Sequence, residues 1–247
     1  MLYVVCGPTG PYFRTGARML SLKAVGEHVR SWPGGTGGHK LSGNYSPTFM
    51  PQRAANKEGY DQVLWLIGDR ITEAGAMNFF IAVKRDDGGT SFPDLRSRLL
   101  DSSYWVSSHH AFLILVCTDI DVITPPLDGT ILPGVTRDSV LRLVAAHGTR
   151  GDVLHLPAAL KLHAVERAVT MAEIISWGQA GRIVESFSCG TAVIVAGIGR
   201  IGMEGREDVY MPKQDGPLGP IAKAVYDKIT AIQEGREQFE DWSVVCH

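Results

Sequence analysis

Gly37-Gly38-His39-Lys40-Leu41-Ser42-Gly43-Asn44-Tyr45 is the stretch on which the reading of this chain turns. Trp32-Pro33-Gly34-Gly35-Thr36 leads into it, so turn formers crowd the approach to one lysine and leave an exposed loop that delivers it. A phosphate loop of the G-x-x-x-x-G-K-[ST] kind needs glycine before the lysine and a hydroxyl after it. His39 and Leu41 stand there instead, which excludes nucleoside-triphosphate binding by that device.

Downstream, Ser46-Pro47 opens a helix that Gly59 closes. Gln62 to Ile67 reads as an apolar strand, turned back at Gly68-Asp69 into a partner over Arg70 to Lys84 that breaks at Ala74-Gly75-Ala76. Asp119 to Thr124 is strand-like and stops at Pro125-Pro126. Leu132-Pro133-Gly134-Val135-Thr136 leads into a helix carrying Val140, Leu141, Leu143 and Val144. Thr170 to Glu173 is a capping box, and its helix runs to about Ala180. Arg182 to Ser188 and Thr191 to Ile198 read as strands joined by Cys189-Gly190. A last helix, Leu218 to Glu234, puts Leu218, Ile221, Val225, Ile229 and Ile232 on one face before Gly235. Upstream, Leu2 to Cys6 suits a short buried strand, and 13–31 reads as a linker with a short helical piece. Strand pairs with intervening helices give an α+β or mixed α/β class, not a regular βαβ series.

The chain has 247 residues, enough for one large domain or two small ones. With 24 Lys+Arg against 26 Asp+Glu, the net charge of -2 argues against a nucleic-acid partner. Mean hydropathy is +0.02, and the longest apolar run, Ala111 to Cys117, is far short of the ~20 residues of a membrane span. Cys6, Cys117, Cys189 and Cys246 form no CxxC, so neither a zinc site nor a disulfide framework is expected and the chain reads as intracellular. His109-His110 lack a third ligand at helical or strand spacing, and no metal is assigned to them.

Set beside its neighbours, the lysine stretch resembles the lysine motif of the branched-chain aminotransferases, fold-type IV pyridoxal-phosphate enzymes. The resemblance continues in order through Tyr60-Asp61-Gln62-Val63-Leu64-Trp65-Leu66, Thr72-Glu73-Ala74-Gly75-Ala76-Met77-Asn78 and the run from Thr124 to Arg137. It goes on through Val165-Glu166-Arg167 with Thr170-Met171, and Ser188-Cys189-Gly190-Thr191-Ala192. Gly7 to Phe13 looks like the family's segment ahead of the lysine. The resemblance implies an α+β large domain of mixed sheets forming a pseudo-barrel with flanking helices. It also implies pyridoxal 5'-phosphate as cofactor, amino acids and 2-oxo acids as substrates, and a homodimer.

Residue by residue, it makes Lys40 the Schiff-base and proton-carrying lysine, because an imine needs an amine on a long stem. It makes Glu73 the carboxylate that keeps the ring nitrogen protonated, and Tyr45 the partner of the phenolic oxygen. Leu132 would pack on the ring face, and Gly134, Val135 and Thr136 would offer helix-start amides to the phosphate. Thr191 and Ala192 would meet the substrate carboxylate, Thr191 also contacting the cofactor, and Tyr12 would line the substrate pocket. The expected activity is transfer of the amino group of leucine, isoleucine or valine to 2-oxoglutarate, in the cytoplasm or mitochondrion.

Three departures from the family are visible. A small first domain is expected to be missing: 1–14 read as its remnant, 15–31 as the interdomain linker, and 32–247 as the large domain. A block at about 89–118 is unmatched and interrupts a hairpin, as a surface loop or a translated intron. Ala76 replaces a usual threonine. Together the first two suggest an incomplete or mis-spliced version of a longer enzyme. The competing expectations are a truncated chain with little or no activity, and a related fold-type IV enzyme with another substrate.

Overall fold

Met77–Lys84 is buried along all but its last residue, so this strand must be covered on both faces. It is β4, in a computed structural model that describes residues 4–8, 18–85, 118–157 and 160–244. Nine strands are formed among them: β1 Leu20–Val25, β2 Gln62–Ile67, β3 Arg70–Ala74, β4, β5 Thr118–Thr124, β6 Leu160–Glu166, β7 Ile183–Gly190, β8 Ile194–Met203 and β9 Val209–Tyr210. Four α-helices accompany them: α1 Phe49–Lys57, α2 Val135–Arg150, α3 Met171–Gln179 and α4 Pro220–Gln233.

The strand order is β3-β2-β1-β8-β7-β4-β5-β6, with β9 beside β8. A further pairing of β3 with β4 joins the two ends of the first six strands, so the sheet closes on itself. One edge of β4 is thereby shared. Its start pairs with β3 at Met77 and Asn78, and its end pairs with β5 from Ile81 to Lys84. Both parallel and antiparallel ladders occur: β1 is parallel to β2 and β8, β5 is parallel to β6, and the others are antiparallel. The class is α+β with a mixed, barrel-like sheet, as expected.

Alternate residues of β4 serve two cores. Phe79, Ile81 and Val83 join Leu20, Leu22, Leu64, Leu66 and Ile198. Phe80 and Ala82 join Phe187, Val195, Val140 and Leu143 of α2, and Ile221 and Val225 of α4. Phe80 stacks on Phe187 with ring centroids 5.1 Å apart. Each buried phenylalanine contributes roughly 2–3 kcal/mol, so β4 is the strand that binds the barrel to its helices.

Several sequence expectations need correction. Leu20–Val25 is not linker or helix but β1, between β2 and β8, with burial alternating residue by residue. The alternation in Leu-Ser-Leu-Lys-Ala-Val has a period of two, which suits a strand and not a helix. Val4, Val5 and Cys6 are exposed and form no strand, because apolar composition without a ladder partner does not make one. Cys189 and Gly190 lie inside β7, paired with Val195 and Ile194, and the turn is Thr191 to Val193. Ile194, at φ 60°, takes up the left-handed conformation that the reversal needs. Strand β6 was not anticipated at all. The block at 89–117 and Tyr12 lie outside the described residues.

Candidate active site

Glu73 on β3 is the centre of a polar cluster at one end of the barrel. It faces Asn78 across the β3–β4 ladder, and Asn78 faces Cys189 across the β4–β7 ladder. The Glu73 side chain is buried, and three groups hold it. Its Oε1 accepts from the Leu132 amide at 2.9 Å and from Asn78 Nδ2 at 3.3 Å. Its Oε2 forms an ion pair with Arg30 Nε. Burial pushes the Glu73 carboxyl up to about 7, against the opposing pull of Arg30 and the Leu132 amide.

Arg30 was read as linker, and it is the residue that ties the site together. It is 2% exposed. Its Nη2 donates to the Gly37 carbonyl at 2.9 Å and to the Thr130 carbonyl at 2.8 Å. Its guanidinium carbon lies 5.8 Å from the centre of the half-buried Tyr45 ring. Arg30 Nε and Nη1 are buried without a hydrogen-bond acceptor among the described residues, the Nε meeting Glu73 by charge alone. Thr130 is fixed in turn by Asp128, whose Oδ1 accepts from the Thr130 amide at 3.0 Å.

The lysine loop is closed by Asn44. Its Nδ2 donates to the carbonyls of Thr36 and His39, both at 2.7 Å, and its Oδ1 accepts from Thr36 Oγ1 at 2.7 Å. Lys40 leaves this closed loop three residues after the Gly37 carbonyl that Arg30 holds, and its side chain is exposed. Lys40 and Glu73 thus belong to segments joined by one guanidinium.

Leu132 leads into α2. Its carbonyl accepts from Asn78 Nδ2 at 3.0 Å. A Cβ built on Gly134 would overlap Asn78 Oδ1, so only glycine lets the chain pass this close. Gly134 caps α2 in an extended conformation and makes no side-chain cap bond, and among the described residues no side chain accepts from the Val135 or Thr136 amide. Thr136 is buried there and Val135 is exposed. Arg137, one residue on, donates to the Pro125 carbonyl at 2.8 Å and pairs with Glu166 at the end of β6, which anchors the helix start. Thr191 and Ala192 are exposed on the β7–β8 turn, and a Cβ on the preceding Gly190 would sit 3.5 Å from Met77 Cγ.

The sequence-read residues therefore divide. Glu73, Leu132 and Gly134 share direct contacts with Asn78. Tyr45 joins them through Arg30, and Lys40 through the loop that Arg30 holds. Thr136 lies on the adjoining helix turn, and Thr191 and Ala192 follow the strand that pairs with Asn78. Sequence reasoning missed Arg30, Asn78 and Thr130. A lone asparagine in the apolar run Met-Asn-Phe-Phe-Ile-Ala-Val carried a signal; Arg30, 43 positions from Glu73, carried none.

Residues 16–201 match the family described as amino-transferase class IV. This chain is a class IV aminotransferase family member. It is 37% identical over 248 aligned residues to a branched-chain-amino-acid aminotransferase of Dictyostelium discoideum, covering 99% of this chain and 54% of that protein. It is 36% identical to the mitochondrial branched-chain-amino-acid aminotransferase of Schizosaccharomyces pombe, covering 99% of this chain and 48% of that one. The class IV chain thus spans about half the length of these curated relatives. In fold it is similar to a branched-chain amino acid aminotransferase of Thermobaculum terrenum solved in its PLP form. That match has a TM-score of 0.56 at 20% identity and covers 90% of this chain and 53% of that one. No helix among the described residues is long and apolar enough to cross a membrane.

Proposed function

We propose that this chain is the large, cofactor-binding part of a pyridoxal-phosphate transaminase acting on leucine, isoleucine or valine with 2-oxoglutarate as amino acceptor. The observation that carries the reading is the buried Glu73 carboxylate, joined by Arg30 to the loop that presents Lys40 and by Asn78 to the uncapped start of α2. The names of the relatives support the substrate class.

The residues present fit the cofactor. A buried carboxylate suits a cationic ring nitrogen. The α2 start, whose first amides no described side chain caps, suits a phosphate dianion. The cradle at Gly134, which a side chain would fill, lies between the two. When bound, pyridoxal phosphate supplies an aldehyde for the amine and a ring that withdraws electrons from the substrate α-carbon. Glu73 holds the proton on the ring nitrogen, and the surrounding core keeps water from competing for that carboxylate. Tyr45 would hold the phenolic oxygen, and Leu132 would pack against the ring. The amides of Val135 and Thr136 bind the phosphate, with Gly134 making room. Thr191, which also touches the cofactor, and Ala192 orient the substrate carboxylate, and Tyr12 lines the side-chain pocket. Lys40 holds the cofactor and moves the proton that leaves the substrate α-carbon.

A homodimer and a cytoplasmic or mitochondrial setting belong to the same proposal. So does a boundary that makes 32–247 the cofactor-binding domain, although β1 belongs to the same barrel. A second reading, in which the chain binds the cofactor but turns over little, is favoured by the outward-facing Val4 and Val5, 79% and 85% exposed. Titration of the purified chain with pyridoxal phosphate, followed by absorbance, tests the first step. The wild type is expected to develop a bound-cofactor band and Lys40→Ala to lack it; identical spectra would refute the assignment. A substrate panel with gel filtration then separates the two readings, turnover by a dimer favouring the transaminase and a silent monomer the other.

A further inference from the structure

The strongest unassigned feature is a buried cation whose contacts span everything the site needs. Arg30 is 2% exposed, and a charge so placed is costly unless paired. Its one charged partner among the described residues is Glu73. Its remaining contacts go to Gly37, before Lys40, to Thr130, before Leu132, and to the ring of Tyr45. Those segments come from three separate places in the chain, and no other described side chain joins all of them.

We propose that Arg30 is a positioning residue of this site: one edge of its guanidinium fixes the Glu73 carboxylate, and the other fixes the loop that presents Lys40. This rests on the functional reading of Lys40 and Glu73 given above. The geometry explains why arginine stands here. Its planar fork offers Nε to the carboxylate and Nη2 to two carbonyls at once, while a lysine is a single point charge and cannot reach all three. The groups facing Glu73 are the Arg30 guanidinium from the segment after β1, Asn78 from β4 and the Leu132 amide from the α2 approach. Only the first of these is charged. Removing it leaves burial, which favours the neutral form, opposed only by the weaker pull of the Leu132 amide. Arg30 therefore governs two separable properties, the ionisation of Glu73 and the register of the lysine loop.

The test uses the full chain in two arms. In the cofactor-free arm, melting temperatures of wild type, Arg30→Gln, Glu73→Gln and the double variant are compared at pH 5 and pH 8. The loss caused by Arg30→Gln is expected to be larger at pH 8 than at pH 5 by about 3 °C or more, because only an ionised Glu73 needs the partner. In the Glu73→Gln background the loss should be equal at both pH values. In the second arm, pyridoxal phosphate is titrated in. Arg30→Gln should weaken binding tenfold or more and move the pH midpoint of the bound band upward by about one unit. Arg30→Lys should restore that midpoint but not the affinity, since it returns the charge without the fork. A loss from Arg30→Gln that is independent of pH and additive with Glu73→Gln would overturn the proposal and leave Arg30 as a packing residue. If Arg30→Gln does not fold, Arg30→Lys decides: wild-type affinity in that variant refutes the bridging role. If the wild type gives no Lys40-dependent band, the transaminase reading fails, and the cofactor-free arm still decides the Arg30–Glu73 coupling.

Discussion

Helices α2 and α4 begin alike and are finished differently. Each starts on a glycine in extended conformation, Gly134 and Gly219, and neither glycine has a side chain to cap the amides that follow. Each glycine also abuts a polar side chain from the sheet, Asn78 in one case and Glu185 in the other. At α4 the buried Glu185 of β7 takes the Ile221 amide at 3.2 Å and the Ala222 amide at 2.6 Å. At α2 no side chain among the described residues does so. The carboxylate of that region, Glu73, is turned instead to Arg30, Asn78 and Leu132. One helix start is sealed by the protein's own buried carboxyl, and the other is proposed to hold the cofactor phosphate. Two buried carboxylates in one barrel thus serve opposite ends: Glu185 completes the fold, and Glu73 is held ready for something else.

Breaking the sealed end should cost the most. Glu185→Ala removes the acceptor of two buried amides and leaves a cavity, and unmet buried donors cost about 1–3 kcal/mol. With the cavity added, a loss of about 3 kcal/mol is expected in chemical denaturation. A loss below about 0.5 kcal/mol, the level of an ordinary surface change, would mean that α4 does not depend on this cap.

The next effect is in pH. Burial pushes the Glu185 carboxyl up to about 7, with the two amides pulling the other way. A carboxyl raised in the folded state binds its proton more tightly there than in the unfolded chain. Its stabilising contribution is complete below about pH 4.5, declines as pH rises and is gone above about pH 7. Glutamine has no such titration. Glu185→Gln should therefore improve relative to wild type between pH 4 and pH 8, by on the order of 3 kcal/mol at 1.36 kcal/mol per unit. A difference between the two proteins that stays constant across that range would remove Glu185 from the account. Glu73 has the same sign, its carboxyl being raised to about 7 even with Arg30 beside it.

How far these features could be read from sequence follows from how local they are. The capping box at Thr170 and Glu173 is present with both reciprocal bonds, because its partners lie three residues apart. Strand β2 and helices α2 and α4 were equally legible from apolar runs and glycines, whereas Arg70 to Lys84, read as one partner strand broken at Ala74-Gly75-Ala76, is two antiparallel strands, β3 and β4, turned at Gly75. Strand β1 was passed over among mixed residues although Leu20–Val25 alternates with period two, since six residues of alternation in a mixed stretch gain their meaning from β2 and β8, far off in sequence. Within the site, Lys40, Tyr45, Glu73 and Leu132 were found through the order of motifs, not through geometry. Arg30 and Glu185 carried no signal because the carboxylate that Arg30 pairs with is 43 positions away and the amides that Glu185 accepts from are 36 and 37 away. Long-range polar pairing has no period to detect.

The smallest and sharpest test sets the two glycines against each other. A methyl group on Gly219 would overlap the Glu185 carboxylate, which is fixed by two amides and the surrounding core. A methyl group on Gly134 would overlap Asn78 Oδ1, on a buried side chain whose Nδ2 donates to Glu73 and to the Leu132 carbonyl. Gly219→Ala should therefore lower stability by about 2 kcal/mol, in the range of overpacked cores. Gly134→Ala should lower it by about 1–2 kcal/mol and also displace Asn78 from Glu73 and from the Leu132 carbonyl. Its signature belongs in cofactor titration, as a weakening of about tenfold with the fold intact. If both alanines act only on stability, and to the same extent, then the start of α2 is a structural turn like that of α4, and the phosphate must be sought elsewhere in the molecule.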